Sequence, residues 1–202
     1  MTEQEYSLGI SDEEFIRGNV PMTKEEVRIL TLAKARIKST DIVLDVGAGT
    51  GSLSIEAAFL ANKGQVYAIE RNEEAINLLK QNMEKFKRGN ITVLEGVVPK
   101  VFVPIDVQLD VALIGGSGGN LEKILQEIDK RLAIGGRIII NAVTLETLSS
   151  SLELLKNRFK NYKYDVCCLQ ATRVRPLGNY SLFDAQNPVY IFVAVKLNNK
   201  EN

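Results

Sequence analysis

The stretch Ile42-Val43-Leu44-Asp45-Val46-Gly47-Ala48-Gly49-Thr50-Gly51 decides the fold. Its first five residues are apolar except for Asp45 and read as a strand buried on both faces of a parallel sheet. Three glycines within the next five then turn the chain and let its backbone approach a ligand with no Cβ in the way. A helix over residues 52–62 follows. The motif therefore stands between a strand end and a helix start, where a ligand-binding glycine loop has to stand. Gln65–Glu70 reads as the next strand and ends in an acid. A carboxylate there can accept hydrogen bonds from both hydroxyls of a ribose.

The rest of the chain repeats this alternation. A T-x-x-E pattern, Thr23 to Glu26, predicts a helix over 23–37, with Thr23 as N-cap and Glu26 capping back. Asn72 reads as the N-cap of a helix with Ile76, Leu79, Met83 and Phe86 on one face. Ile91–Glu95 is a third strand, and Pro99 and Pro104 mark a loop or short broken helix. Leu109–Ile114 is a fourth strand running into Gly115-Gly116-Ser117-Gly118-Gly119. Leu121, Ile124, Leu125, Ile128 and Leu132 stripe a helix that Gly135-Gly136 ends, and residues 137–143 form strand five. Leu145, Leu148, Leu152, Leu155 and Phe159 stripe a further helix. Residues 164–172 and 189–197 then read as two strands with no helix between them, hence antiparallel. Their connection, 173–188, reads as a loop, and 198–202 as a frayed tail. The pattern predicts an open α/β sheet with helices on both faces, in one domain over 1–202. Residues 1–40 supply an N-terminal segment and helix, 41–143 the α/β core, and 144–197 the last helix and strand pair.

Composition narrows the function. The chain has 202 residues, 45% apolar and 25% charged, as globular proteins do. No apolar run reaches the roughly 18 residues that span a bilayer. Residues 1–6 are acidic and lack the basic and apolar regions of a signal peptide, so the cytoplasm is expected. Lys plus Arg equals Asp plus Glu at 25 each, which weighs against a dedicated nucleic-acid binder. Cys167 and Cys168 are adjacent, without the spacing of a zinc or redox pair. There is no histidine, which removes histidine acid/base catalysis, histidine-dependent triads and most zinc sites. No metal is expected and no catalytic side chain is assigned. Chemistry has to run on a bound cofactor, on Asp, Glu, Tyr or Lys, or on backbone groups.

A dinucleotide loop, G-x-G-x-x-G, would place its third glycine at position 52, which is Ser52. The G-x-G-x-G form, with Asp45 before it and Glu70 after it, resembles the class I S-adenosylmethionine-dependent methyltransferases. Their sheet is Rossmann-like, seven-stranded and mostly parallel, with an antiparallel C-terminal strand. The antiparallel pair predicted here fits that resemblance, which implies S-adenosylmethionine as cofactor.

The stretch from Ile10 through Val20-Pro21-Met22-Thr23-Lys24-Glu25-Glu26-Val27-Arg28 is more specific. It resembles the P-D-E-x-F … V-P-M-T-K-x-E-V-R opening of the decarboxylating precorrin methyltransferases of cobalamin biosynthesis. Gly115 to Gly119 resembles that family's G-G-S-G-G segment. Thr172-Arg173, Gly178 and Asn187-Pro188-Val189-Tyr190 resemble its C-terminal pattern. The resemblance implies transfer of a methyl group to a meso carbon of a tetrapyrrole, coupled to loss of carbon dioxide from an acetate side chain. Stand-alone chains resemble members that take a cobalt-precorrin, and the family implies a homotetramer with no membrane or nucleic-acid partner.

By the same resemblance, cofactor contacts fall on Thr23, Gly47, Ala48, Gly49, Thr50, Gly51, Glu70 and Val98. Here the chain departs from the family's G-D-A-P, reading Gly96-Val97-Val98-Pro99 and lacking the acid at 97. A polycarboxylate substrate calls for arginine, lysine and amide donors. The candidates are Arg17, Lys24, Arg28, Arg173 and Arg175, together with Gly115, Gly116, Ser117 and Gly118. That glycine loop sits at the C-terminal strand edge where such sheets bind ligands. Two alternatives stay open: a methyltransferase of the same fold acting on tRNA or protein carboxyl groups, and a non-catalytic binding subunit. The balanced charge weighs against RNA, and the intact loop with Glu70 against the binding subunit.

Overall fold

Ile42–Val46 (β1) lies in the middle of a seven-stranded sheet, as its apolar run requires. The structure is a computed structural model and describes residues 8–102 and 106–198. The readings of residues 1–6, Pro104 and 199–202 lie outside the described residues. After β1 come α2 (Ser52–Leu60), β2 (Gln65–Glu70), α3 (Glu73–Lys85), β3 (Ile91–Glu95), β4 (Leu109–Ile114) and α4 (Leu121–Arg131). The chain continues through β5 (Leu132–Ala142), α5 (Leu145–Glu153), β6 (Tyr162–Leu169), β7 (Thr172–Leu177), β8 (Tyr180–Ala185) and β9 (Val189–Lys196). Before β1 stands α1 (Glu25–Ala35).

The sheet order is β3-β2-β1-β4-β5-β9-β6. β1 pairs in parallel with both β2 and β4, so the winding reverses direction between β1 and β4. That reversal opens a crevice at the carboxyl ends of the two strands. β9 runs antiparallel to both β5 and β6 and fills the place between them.

Side chains alternate between two apolar layers, as the pleat demands. Val43, Leu113 and Ile139 pack with Leu32 of α1, Ile55 of α2 and Leu79 of α3. Leu44, Ile114 and Ile140 pack with Ile124, Leu125 and Ile128 of α4 and with Leu154 and Leu155 after α5. Asn72 caps α3 as its position predicts, accepting from Ala75 N at 2.9 Å. Cys167 is half-buried, Cys168 is exposed, and both are free. Among the described residues no helix is long and apolar enough to cross a membrane, and no cluster of His, Cys, Asp or Glu could hold a metal ion.

Three local expectations are corrected. The first helix starts at Glu25, with Lys24 at the cap position and no side-chain cap bond, so Thr23 is not its N-cap. Glu26 does not reach back because its carboxylate is engaged by Arg173 at 2.8 and 2.9 Å. Strand five begins at Leu132 rather than 137, because α4 stops at Arg131 and Leu132 pairs with Leu109 across a bulge. Finally, 173–188 is not a plain loop. β7 and β8 pair only with each other as a hairpin that turns at Gly178, whose φ of +57° suits a residue without Cβ.

Candidate functional site

The crevice between β1 and β4 is walled by the two glycine segments. Gly47 N and Ala48 N both donate to Ile69 O (2.9 and 3.0 Å), while Gly115 N donates to Val46 O at 3.0 Å. A Cβ on Gly47 would lie 2.7 Å from the Gly116 nitrogen and oxygen, and Gly47 has a φ of +75°. The two backbones approach so closely here that a side chain on Gly47 has no room, and their paired amides hold the crevice walls in place.

Glu70 closes the other side of the loop. Its Oε2 accepts from Gly49 N at 2.9 Å, and its Oε1 accepts from Arg71 N at 2.7 Å and Asn72 N at 2.9 Å. A carboxylate offers about four acceptor positions. Three are used to hold the loop in shape, and the remainder can take a hydroxyl.

These elements line a cleft of about 830 Å³. Thr23, Gly47, Ala48, Gly49, Glu70 and Val98 all line it, as do Lys24, Gly115, Gly116, Ser117 and Gly118. Thr50 and Gly51 do not. The Thr50 carbonyl is held from below by Asn82 Nδ2 at 2.9 Å, and Gly51 faces Leu79. Those two residues shape the turn rather than its ligand face. A smaller chamber of about 360 Å³ adjoins the cleft and shares the Gly115 to Gly118 wall and Asn141 with it.

The arginines are placed otherwise than the sequence suggests. Arg17 is exposed outside the cleft, and Arg175 is exposed on the hairpin. Arg28 is fully buried. It donates to Glu56 Oε1 (2.8 Å), Asp12 Oδ1 (2.7 Å), Thr23 O (2.5 Å) and Ile10 O, with its guanidinium 4.8 Å from the centre of the Phe15 ring. Arg173 bridges Glu26 and Asp12 instead of lining the cleft. Its hydrogen bond to Glu26 holds the guanidinium pKa further above its ordinary value and the Glu26 carboxyl below its own. Both arginines are therefore corrected from substrate contacts to staples. They clamp the N-terminal segment, whose residues from Asn19 to Lys24 form one wall of the cleft.

Asp45 lies beneath the loop, fully buried, with Oδ2 accepting from Ser54 Oγ at 2.6 Å and Oδ1 without a hydrogen-bond partner among the described residues. Burial pushes its carboxyl from 3.8 up to about 6. The Ser54 hydrogen bond opposes that rise and the Glu70 charge adds to it. Because the folded pKa lies above the unfolded one, this group's contribution to stability is full below about pH 4 and is lost as pH rises to about 6. Asp45→Asn stays neutral, so its stability advantage over the parent grows by about 2 kcal/mol between about pH 4.5 and about pH 7. Urea midpoints at the two pH values measure this, and a pH-independent difference would exclude Asp45 as the titrating group.

Sequence reading missed four participants. Glu56 sits in the otherwise apolar stretch Ser54-Ile55-Glu56-Ala57-Ala58, and Asp12 is its distant counterpart; an acid in an apolar helix signals a buried ion pair. Arg71 lines the cleft with its guanidinium against Gly118. Asn141 ends the apolar run Ile138-Ile139-Ile140 at the sheet's ligand-binding edge, a polar break legible in the sequence.

Comparison with known proteins agrees with this geometry. The family described as precorrin methyltransferase domain matches residues 14–196. A probable cobalt-precorrin-6B C(15)-methyltransferase (decarboxylating) of Sulfurisphaera tokodaii is 41% identical over 191 residues, covering 93% of this chain and 97% of that protein. The cobalt-precorrin-6B C(15)-methyltransferase (decarboxylating) of Salmonella typhimurium is 40% identical, covering 94% and 97%. The crystal structure of precorrin-6y C5,15-methyltransferase from Geobacter metallireducens matches with a TM-score of 0.87 at 38% identity, over 94% of this chain and 97% of that one. On the strength of the matched length and the shared fold, this chain belongs to the precorrin methyltransferase domain family.

Proposed function

We propose that this chain methylates a meso carbon of a cobalt-precorrin, using S-adenosylmethionine, and couples the transfer to decarboxylation of an acetate side chain in cobalamin biosynthesis. The observation that carries this reading is the continuity of the cleft. It runs from the glycine loop and Glu70 to Asn141 and Val189 without a break, so a nucleoside and a second ligand share one space. The relatives' names supply the substrate class and the decarboxylation.

The residues present fit the cofactor. The close approach of Gly47 to Gly116 makes a cradle that any Cβ would fill. Glu70 keeps acceptor capacity for a ribose hydroxyl, and Thr23, Ala48, Gly49 and Val98 complete the wall. When bound, S-adenosylmethionine supplies a methyl already activated by its sulfonium. The chain's own part is to align donor and acceptor carbon and to exclude water, a role that proximity alone can make large. Lys24 and Arg71 present cations to the cleft, and Gly115 to Gly118 present backbone to it, where substrate carboxylates can bind. Arg173 serves by fixing α1 rather than by touching substrate.

The absence of histidine is no obstacle, because an electron-rich macrocycle can supply the carbon nucleophile and accept the electrons released by decarboxylation. The reading places the chain in the cytoplasm as a homotetramer. Val174, Leu177, Tyr180 and Phe183, all exposed on the β7–β8 hairpin, support self-association, since apolar patches of this kind mark interfaces.

Mass spectrometry tests the reading. Purified protein incubated with S-adenosylmethionine and cobalt-precorrin-6B gives a product that has gained one methyl group and lost carbon dioxide. An unchanged tetrapyrrole, with S-adenosylhomocysteine binding demonstrated separately, removes the substrate assignment and leaves the fold.

A further inference from the structure

Asn141 is 7% exposed and is the last polar residue of β5, at the point where the main cleft meets the smaller chamber. Its Oδ1 accepts from the hydroxyl of Thr31 at 3.1 Å, and Thr31 is itself 1% exposed on α1. No hydrogen bond holds its Nδ2 among the described residues. Although the residue is buried overall, Nδ2 is not sealed from solvent: it opens onto the cleft, where an arriving acceptor can replace water at its N–H groups. With Thr31 Oγ1 donating to the amide oxygen from α1, Nδ2 is left as the unengaged end of a side chain that lines the cleft.

The donor does not belong to the nucleoside end. Glu70 ends β2 and Asn141 is the last residue but one of β5, with β1 and β4 between the two strands. Three strand spacings of about 4.8 Å put the two residues roughly 14 Å apart along the sheet edge. The same cleft is also lined by Lys24, Glu26, Val189 and the amide residues Gln186 and Asn187. Glu26 is already paired with Arg173, which leaves Lys24 and Arg71 as cleft-lining cations without an ion pair among the described residues.

We infer that Asn141 is a substrate-binding and specificity-determining residue whose Nδ2 donates to a carboxylate on the tetrapyrrole edge entering the cleft, and that Thr31 is the positioning residue that aims it. The inference rests on the proposed tetrapyrrole reading. A carboxylate is the matching acceptor because it is the dominant polar group on the rim of such a substrate and because only acceptors satisfy both N–H groups of an amide.

The test measures binding rather than turnover. Cobalt-precorrin-6B is titrated into the S-adenosylhomocysteine-loaded parent protein and into Asn141→Ala, Asn141→Asp, Thr31→Val and the Thr31→Val/Asn141→Ala double variant. The loss of a hydrogen bond to a charged group corresponds to about 10- to 100-fold weaker binding for Asn141→Ala. Asn141→Asp replaces the donor by a like charge and weakens binding further than Asn141→Ala does. Thr31→Val weakens binding alone but adds nothing in the Asn141→Ala background, a non-additivity that a general loss of packing does not produce. Affinity for S-adenosylhomocysteine stays within about twofold throughout, which excludes collapse of the cleft.

Equal affinities for Asn141→Ala and Asn141→Asp overturn the carboxylate assignment. Weakened S-adenosylhomocysteine binding assigns Asn141 to the cofactor instead. A parent that binds the tetrapyrrole but leaves it unconverted defeats the proposed reaction while the variant series still decides on Asn141. A parent that fails to bind it defeats both.

Discussion

Arg28→Met lowers stability by about 3–5 kcal/mol, which for a chain of this length lowers Tm by roughly 10 °C. Met fits the volume of the arginine stem, so the loss comes from the charges it abandons. Glu56 is 1% exposed and loses its only ion-pair partner among the described residues, keeping there just the amides of Gly9 and Ile10. The carbonyls of Ile10 and Thr23 lose their donor in the same step. Asp12 is partly spared, because Arg173 still donates to its Oδ2 at 3.0 Å.

The consequence reaches the cleft, since Arg28 ties Ile10, Asp12 and Thr23 together and to Glu56 of α2. Thermal unfolding gives the stability. Limited trypsinolysis gives the local effect, with cleavage after the exposed Arg17 becoming faster in the variant. Adding Glu56→Gln, which removes the stranded charge, recovers part of the loss. A single variant as stable as the parent would falsify the staple role.

Gly47→Ala abolishes measurable binding of S-adenosylhomocysteine and lowers stability by about 3 kcal/mol or more. The left-handed backbone costs an L-residue about 1–2 kcal/mol by itself. The added carbon would also lie 2.7 to 2.9 Å from three backbone atoms of Gly116. Neither side has a flexible side chain that could move away, so the β1 and β4 loops must part and the cradle opens. The neighbouring glycines grade the effect. Gly51→Ala meets the Cδ1 of Leu79, a side-chain end able to yield, and Gly49→Ala meets nothing nearer than the Pro21 oxygen at 3.3 Å. The expected order of damage is Gly47, then Gly51, then Gly49. Calorimetry with S-adenosylhomocysteine and thermal unfolding of the three variants check it, and equal losses at Gly47 and Gly49 contradict the backbone-approach account.

Much of this molecule is legible from its residues alone. Ile42 to Val46 is apolar at every position but one, and such a strand is stable only with helices on both faces. Glycines within the next five residues can form little except a ligand-facing turn, and Glu70 follows at the end of the adjacent strand. Asn72 marked a helix start correctly because its side chain needs only a local amide to cap. The N-terminal and strand-four motifs carried the family, because they are specific strings and not periodicities.

Long-range electrostatics were decided only in three dimensions. Thr23 and Glu26 have the sequence of a capping box, yet Glu26 is drawn to Arg173, 147 positions away, by a bidentate pair with a full opposite charge where the cap would offer one backbone amide. Arg28 and Arg173 look like any surface cations until the fold surrounds them with Asp12, Glu56 and Glu26. Asn141 acquires a direction only when α1 brings Thr31 against β5. By itself the sequence determined the strand order's raw material, the glycine turn and the acid beside it, because each depends on contacts between near neighbours. The tertiary structure decided which charges staple and which face the cleft, because a charged group's role is set by whatever opposite charge the fold brings within hydrogen-bond reach.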